Sequence, residues 1–193
     1  MLPLVFLPDT PVLLAGRGPA FEKRLGLLRG AGIRWLRLFS ELPPEAEVAA
    51  VRLVFGAGLA PEENEALAAA ARARGVPVNI EDVPHLCDFH VPALVRRGDL
   101  LLSISTGGAA PGLAGALRGW LEEAFGPEWA EHLQEVAELR ARLRAAGASP
   151  AEVMHALRAQ LDAAGWAPLA ADGTARCRPL PAAVAGQRSS FPA

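Results

Sequence analysis

The chain repeats one pattern: a strand-length apolar run, a glycine or proline break, then a helical stretch. Residues 11–15 form a buried-strand pattern that runs straight into Gly16-Arg17-Gly18. Phe21, Leu25 and Leu28 then fall at helical spacing, and Gly30-Ala31-Gly32 closes that helix. Residues 33–39 alternate apolar side chains with arginines, as a second strand does, and residues 48–55 read as a third. The alanine-rich stretch 61–74 is helical and stops at Gly75; residues 76–80 and 100–104 give a fourth and a fifth strand. Such alternation predicts an α/β fold, a mostly parallel sheet with helices on its faces.

After Pro111 the pattern changes. Residues 112–125, 128–146 and 150–164 are three helical segments with no strand between them. The last has a clear start, with Ser149 as N-cap, Pro150 in the first turn and Glu152 completing a capping box. Residues 167–193 are rich in Ala, Pro, Gly and Arg, show no period, and read as a poorly ordered or loosely docked tail. The organisation expected is therefore a sheet domain over 1–111, a helical segment over 112–166 and an irregular tail over 167–193.

Composition excludes several classes. The net charge is −2 and there is no basic block, so nucleic acid is not expected as the partner. Lys23 is the only lysine, so no phosphate loop of the Gly-Lys-Ser/Thr type exists. Tyrosine is absent, which rules out a dehydrogenase built on a Tyr-Lys pair. Cys87 and Cys177 are too few for a disulfide framework and lack zinc-pair spacing; they read as reduced thiols of a cytoplasmic protein. The apolar runs are strand-length, and the first residues do not read as a signal peptide, so no membrane association is expected.

Two places carry chemistry. The first is the strand–Gly16-Arg17-Gly18-Pro19–helix joint, the start of a dinucleotide fold. There one glycine permits the turn, the next lets a pyrophosphate approach, and the helix N-terminus offers free N–H groups. The third small position of that fingerprint holds Phe21, a ring expected to push the helix outward. Glu41, just past the second strand, is the candidate for the carboxylate that binds a ribose, and reads equally as a solvated loop carboxylate. The second place is Asn79 to Ala93, which holds Glu81, Asp82, His85, Cys87, Asp88 and His90 at a strand end. That concentration reads as chemistry rather than packing, with a small buried side chain as the plain reading of Cys87, a cap or salt-bridge partner as that of Asp88, and partly exposed loop groups as that of the two imidazoles. Its spacing does not fit a closed zinc site, so no metal site is assigned.

Three pieces together resemble the N-terminal module of siroheme synthase, the precorrin-2 dehydrogenase and sirohydrochlorin ferrochelatase family. They are Gly16-Arg17-Gly18 with Lys23-Arg24 and Leu27-Leu28-Arg29-Gly30-Ala31-Gly32; Asn79-Ile80-Glu81-Asp82 with Leu86-Cys87-Asp88-Phe89 and Pro92-Ala93; and Ile104-Ser105-Thr106-Gly107-Gly108-Ala109-Ala110-Pro111. Order and spacing agree from about Pro11 to Leu121. Two departures fall at the cofactor end: Phe21, and Gly56-Ala57-Gly58-Leu59 in place of the family's Ala-Thr-Asp-Asp.

The resemblance implies a Rossmann-like domain followed by a helical dimerisation segment. It implies NAD-dependent oxidation of precorrin-2 to sirohydrochlorin, with ferrous iron insertion in some members, by a homodimer. Asp82 matches the family's catalytic aspartate and, beside Glu81, is expected to have its proton affinity raised by like-charge repulsion. The cofactor residues implied are Gly16, Arg17, Gly18, Pro19 and Glu41. Asn79, Thr106, Gly107 and Gly108 match the substrate pocket, and Arg96, Arg97 and Arg118 are candidate counter-charges for a polycarboxylate tetrapyrrole. Two other readings stay open: a chelatase or tetrapyrrole carrier that has lost NAD binding, and a non-catalytic dinucleotide-sensing or dimeric interaction module.

Overall fold

The structure is a computed structural model and describes residues 4–166. The tail reading and Cys177 lie outside the described residues. The described chain divides into two compact units, one ending at Val91 and the next beginning at Pro92.

The first unit is a four-stranded parallel sheet in the order β2-β1-β3-β4, formed by β1 (Val12–Gly16), β2 (Leu36–Phe39), β3 (Leu53–Ala57) and β4 (Val78–Ile80). Val12 pairs with both Leu36 and Leu53, and Gly56 pairs with Ile80, so all four carboxyl ends lie at one edge. β1 and β3 are apolar on both sides because both faces are covered, whereas the edge strand β2 leaves Arg37 and Leu38 exposed. Val12, Leu14, Leu53 and Phe55 face helix α1 (Gly18–Gly30), whose Leu25 and Leu28 are buried against them. Leu13, Ala15, Val54, Val78 and Ile80 face the short helix α2 (Glu45–Ala49) and helix α3 (Pro61–Arg72), which contribute Val48, Leu67, Ala68 and Ala71. Alternation with period two thus splits one sheet between two cores.

The third strand starts later than the periodicity suggests. Residues 48 and 49, read as its start, end α2 instead, because Pro44 stands at the N-cap of that helix and Glu45 and Glu47 occupy its first turn, where carboxylates favour a helix start. Phe21 does not displace α1. Its ring joins the partly buried shell of the Val12–Leu14 cluster, and the small contact falls to Ala20, whose Cβ lies 3.7 Å from where a Cβ on Gly58 would stand.

The second unit holds an antiparallel hairpin, β5 (Ala93–Arg97) and β6 (Leu100–Ile104), followed by α4 (Pro111–Ala124), α5 (Trp129–Ala145) and α6 (Pro150–Ala163). Residues 100–104 therefore do not extend the parallel sheet. Only Gly98-Asp99 joins them to β5, with Arg97 paired to Leu100, and a parallel neighbour needs a crossover of a dozen or more residues. The division expected after residue 111 shifts accordingly to Val91/Pro92, since the hairpin groups with the helices that follow it. Among the described residues no helix is long and apolar enough to cross a membrane.

Candidate functional site

At the carboxyl edge of the parallel sheet the turns after β1 and β3 lock together. A Cβ on Gly16 would overlap the carbonyl oxygen of Ala57, and one on Gly58 would overlap the carbonyl oxygen of Arg17. Both glycines have positive φ, 147° and 72°. The Arg17 amide donates to the Ala57 carbonyl at 3.1 Å, closing the pair. Gly58, part of the departure from the family pattern, is thus required by the approach of the β1 turn.

Gly18 differs from Gly16. It has φ 72° and no atom lies within 4 Å of its would-be Cβ, so it faces open space at the start of α1. Pro19 sits in the first turn, no side chain caps this helix, and its first turn carries no acid. Its leading N–H groups and positive dipole end are left for an anion. Arg17, Ser40, Glu41, Leu42 and Glu63 line a cleft of about 510 Å³ beside this turn. Arg17 follows β1, residues 40–42 follow β2, and Glu63 lies in the first turn of α3. Glu41 makes no hydrogen bond or ion pair among the described residues. An open glycine, an uncapped helix start and a free carboxylate past β2 are the parts a dinucleotide requires.

Glu63, with Ser40 and Leu42, was missed by sequence reasoning. Its carboxylate grips the Arg17 guanidinium through both oxygens, at 3.1 and 2.7 Å, and accepts from the Ala60 amide at 2.7 Å. The hydrogen bond from Arg17, and then that from Ala60, hold the Glu63 carboxyl below its usual 4.5. The hydrogen bond from Glu63 and its charge raise the Arg17 pKa in turn. The only sequence signal was its place three residues after Ala60, at a helix start.

At the end of β4 two adjacent carboxylates diverge. Glu81 turns inward: its side chain is 10% exposed, Oε1 meets Lys23 at 3.1 Å, and Oε2 is buried with no partner. Asp82 turns outward and is exposed. It is the only described non-glycine residue with positive φ, 61°. That conformation costs roughly 1–2 kcal/mol, and Asp tolerates it better than most residues. The expected pairing of two like charges is therefore replaced by a Lys23–Glu81 ion pair with Asp82 standing apart. Asp82 shares the carboxyl edge with the cleft but does not line it.

The rest of the 79–93 segment is largely structural, as the plain readings of Cys87 and Asp88 had it. Cys87 donates to the Ile80 carbonyl at 3.1 Å, and its sulfur accepts from the Ile80 amide at 3.3 Å. Asp88 accepts from the Val78 amide at 3.1 Å and from Arg72 at 2.9 Å. Asn79, expected at the substrate, is buried, and its amide nitrogen donates to the Phe89 carbonyl at 2.9 Å. Together they fold residues 84–91 back over β4, using side chains because this stretch has no strand partner. His85 and His90 remain exposed.

The candidates in the second unit also separate. The Arg97 guanidinium donates to the carbonyls of Phe125 at 2.6 Å and Glu122 at 3.0 Å. It closes the C-terminus of α4, where a cation complements the dipole, so it is not free to bind a carboxylate substrate. Arg118 is paired with Glu122 on its own helix at 3.0 Å. Arg96 is exposed on β5 and has no side-chain partner. Thr106 Oγ1 accepts from the Ala110 amide at 3.2 Å, and Gly107 and Gly108 have φ of 64° and 83°, so this turn is shaped to start α4.

Similarity to known proteins follows the same segments. A family model described as "Putative NAD(P)-binding" matches residues 31–93. The chain is 33% identical to siroheme synthase of Methylococcus capsulatus over 168 residues, which are 77% of this chain and 35% of that protein. It is 35% identical to the Methylobacillus flagellatus siroheme synthase over 135 residues, 60% of this chain and 29% of that one. Over these spans the chain is similar to the siroheme synthase family, whose N-terminal module the sequence motifs resemble. It spans about a third of the length of the curated relatives it matches. The fold is also that of SirC, a precorrin-2 dehydrogenase, with a TM-score of 0.65 at 20% identity over 84% of this chain and 90% of that one.

Proposed function

We propose that this chain oxidises precorrin-2 to sirohydrochlorin in siroheme biosynthesis, using NAD. The observation that carries the reading is the cleft after β1 and β2. It combines the open Gly18, the uncapped start of α1 and the unpaired Glu41. When bound, NAD supplies the hydride acceptor. Gly16 and Gly18 shape the turn, the α1 N-terminus and Pro19 receive the pyrophosphate, and Glu41 accepts hydrogen bonds from the adenosine ribose hydroxyls. Asp82, exposed at the same carboxyl edge, takes a proton from the reduced macrocycle. Its left-handed backbone sends the carboxylate away from the strand while Glu81 turns back to Lys23. Of the three arginines offered for the substrate, Arg96 is the one without a side-chain partner, and it meets a substrate carboxylate in this reading.

The cofactor-free alternative began from Phe21. That ring packs on the sheet face and is not among the residues lining the cleft, which favours the dehydrogenase. Iron insertion uses the same carboxylate in our reading: Asp82 accepts the pyrrole protons as ferrous iron enters. A second copy of the chain is the proposed partner, covering the apolar side chains that the helical unit leaves half exposed.

NADH formation from precorrin-2 and NAD, without metal, tests the proposal. Asp82→Asn is expected to lower the rate by about 10²–10⁴-fold, the usual contribution of a positioned base. Equal rates would remove Asp82 as the base, and absence of NADH with the unmutated protein would remove the dehydrogenase.

A further inference from the structure

We propose that Glu63 decides which dinucleotide the cleft accepts: by clamping Arg17 it admits an adenosine ribose with a free 2′-hydroxyl and rejects one bearing a 2′-phosphate. This rests on the cleft being the nicotinamide-dinucleotide site.

The charges in the cleft carry the inference. Of the five lining residues, Arg17 is the only cation, and Glu41 and Glu63 are both carboxylates. The cleft stands just past β2, where this class of sheet places the adenosine ribose. A 2′-phosphate there needs a cation, and arginine is the residue whose planar fork matches it. Arg17 is within reach of that position, since its Nη1 also lies 3.4 Å from the Ser40 carbonyl, next to Glu41. Its fork is nevertheless occupied. Nη1 and Nη2 both donate to Glu63, at 3.1 and 2.7 Å. Glu63 is itself fixed, because the same Oε2 accepts the Ala60 amide that opens α3. The guanidinium is thus neutralised and turned to a carboxylate on a rigid helix start. What remains unpaired in the cleft is Glu41, which attracts hydroxyls and repels phosphate.

The residue acts through Arg17 rather than on the cofactor, so Glu63 is a specificity-positioning residue. Sequence position alone pointed only to Glu41 for this choice. The structure adds a second carboxylate, 46 positions along the chain from the arginine it silences.

The test is calorimetric titration of NAD⁺ and NADP⁺ into the unmutated protein, Glu63→Gln, Glu63→Asp and the double variant Glu63→Gln/Arg17→Gln. Glu63→Gln keeps an oxygen for the Ala60 amide while releasing the guanidinium. The unmutated protein is expected to bind NAD⁺ more tightly than NADP⁺. In Glu63→Gln the preference should fall by about tenfold or more, the effect of one new charge-assisted hydrogen bond to phosphate. Glu63→Asp, which keeps the charge but withdraws it, should shift the preference less and in the same direction. Adding Arg17→Gln should restore the original preference. An unchanged preference in both single variants, or a shift that survives loss of Arg17, would overturn the role of Glu63. If the unmutated protein binds neither dinucleotide, the site reading itself fails, and this inference with it.

Discussion

The two units bury their apolar residues very differently. In the first, β1, β3 and β4 are covered on both faces: Val12, Leu13, Leu14, Val54 and Val78 are fully buried, and exposure on the sheet falls to the edge strand β2, at Arg37 and Leu38. In the second, Val95, Ala114 and Val153 are the only buried hydrophobics among the described residues. Its larger side chains stay partly open, with Leu113 54% and Met154 52% exposed. An aromatic group of Phe125, Trp129, His132 and Trp166 packs ring on ring, yet the indole N–H of Trp120 is buried without a partner. A parallel sheet closes its core with its own crossover helices. Helices following a two-stranded hairpin have too little sheet to lie on, so their apolar faces remain for a second surface. The lesson is that the sheet unit closes a core of its own, whereas the helical unit leaves apolar surface, which our proposal gives to a second copy of the chain.

That contrast can be broken most directly at Gly16. Gly16→Ala would drive a Cβ into the Ala57 carbonyl, a backbone group that cannot step aside. A loss of about 4 kcal/mol or more is expected, enough to prevent accumulation of folded protein. Gly18→Ala, with open space around it, should cost only about 1–2 kcal/mol from its left-handed backbone. Thermal melts of the two variants would test this, and similar losses would contradict the locked turn. Leu67→Ala comes next. Leu67 is 1% exposed in the α3 core, and its truncation should cost about 2–5 kcal/mol regardless of protein concentration.

Leu113→Glu probes the other unit. It should weaken self-association by about tenfold, as a central contact does, and make protection of α4 amides depend on dilution. Light scattering with hydrogen exchange would measure both. Unchanged association, or equal loosening of β1 and β3, would erase the contrast drawn here. The smallest effects are those of acid on two helix starts. Arg17 holds the Glu63 carboxyl below 4.5, and the Ser149 hydroxyl and amide do the same for Glu152. A lowered carboxyl pKa gives stability that is complete above the unfolded value and fades as pH falls through the folded one. Exchange at the first turns of α3 and α6 should therefore rise below about pH 4.5, and Glu152→Gln should flatten the response of α6 alone.

How much was legible depends on how local the cause is. The β1–Gly16–α1 joint, the stop at Gly75 and the Ser149–Glu152 cap were readable because each is decided within a few residues. That residues 48 and 49 end α2 rather than begin β3 was missed because Val48 suits a strand as well as a buried helix position, and Pro44 settled it. Arg97 looked like a substrate cation because the sequence does not show that the carbonyls ending α4, 25 and 28 positions on, come to meet it. Cys87 and Asp88 could be read either way, because titratable side chains that anchor a loop have the same letters as those that catalyse.

The sequence by itself determined the alternation of strands and helices, the glycine turn at the cofactor end and the carboxylates at the end of β4, since propensity, periodicity and chain order are properties of neighbours. Only the tertiary structure decided that Glu81 turns in to Lys23 while Asp82 turns out, that Glu63 clamps Arg17, and that residues 93–104 close on each other as a hairpin. Those outcomes depend on which groups meet across many intervening residues, and burial and charge pairing act on distance in space, which order along the chain does not specify.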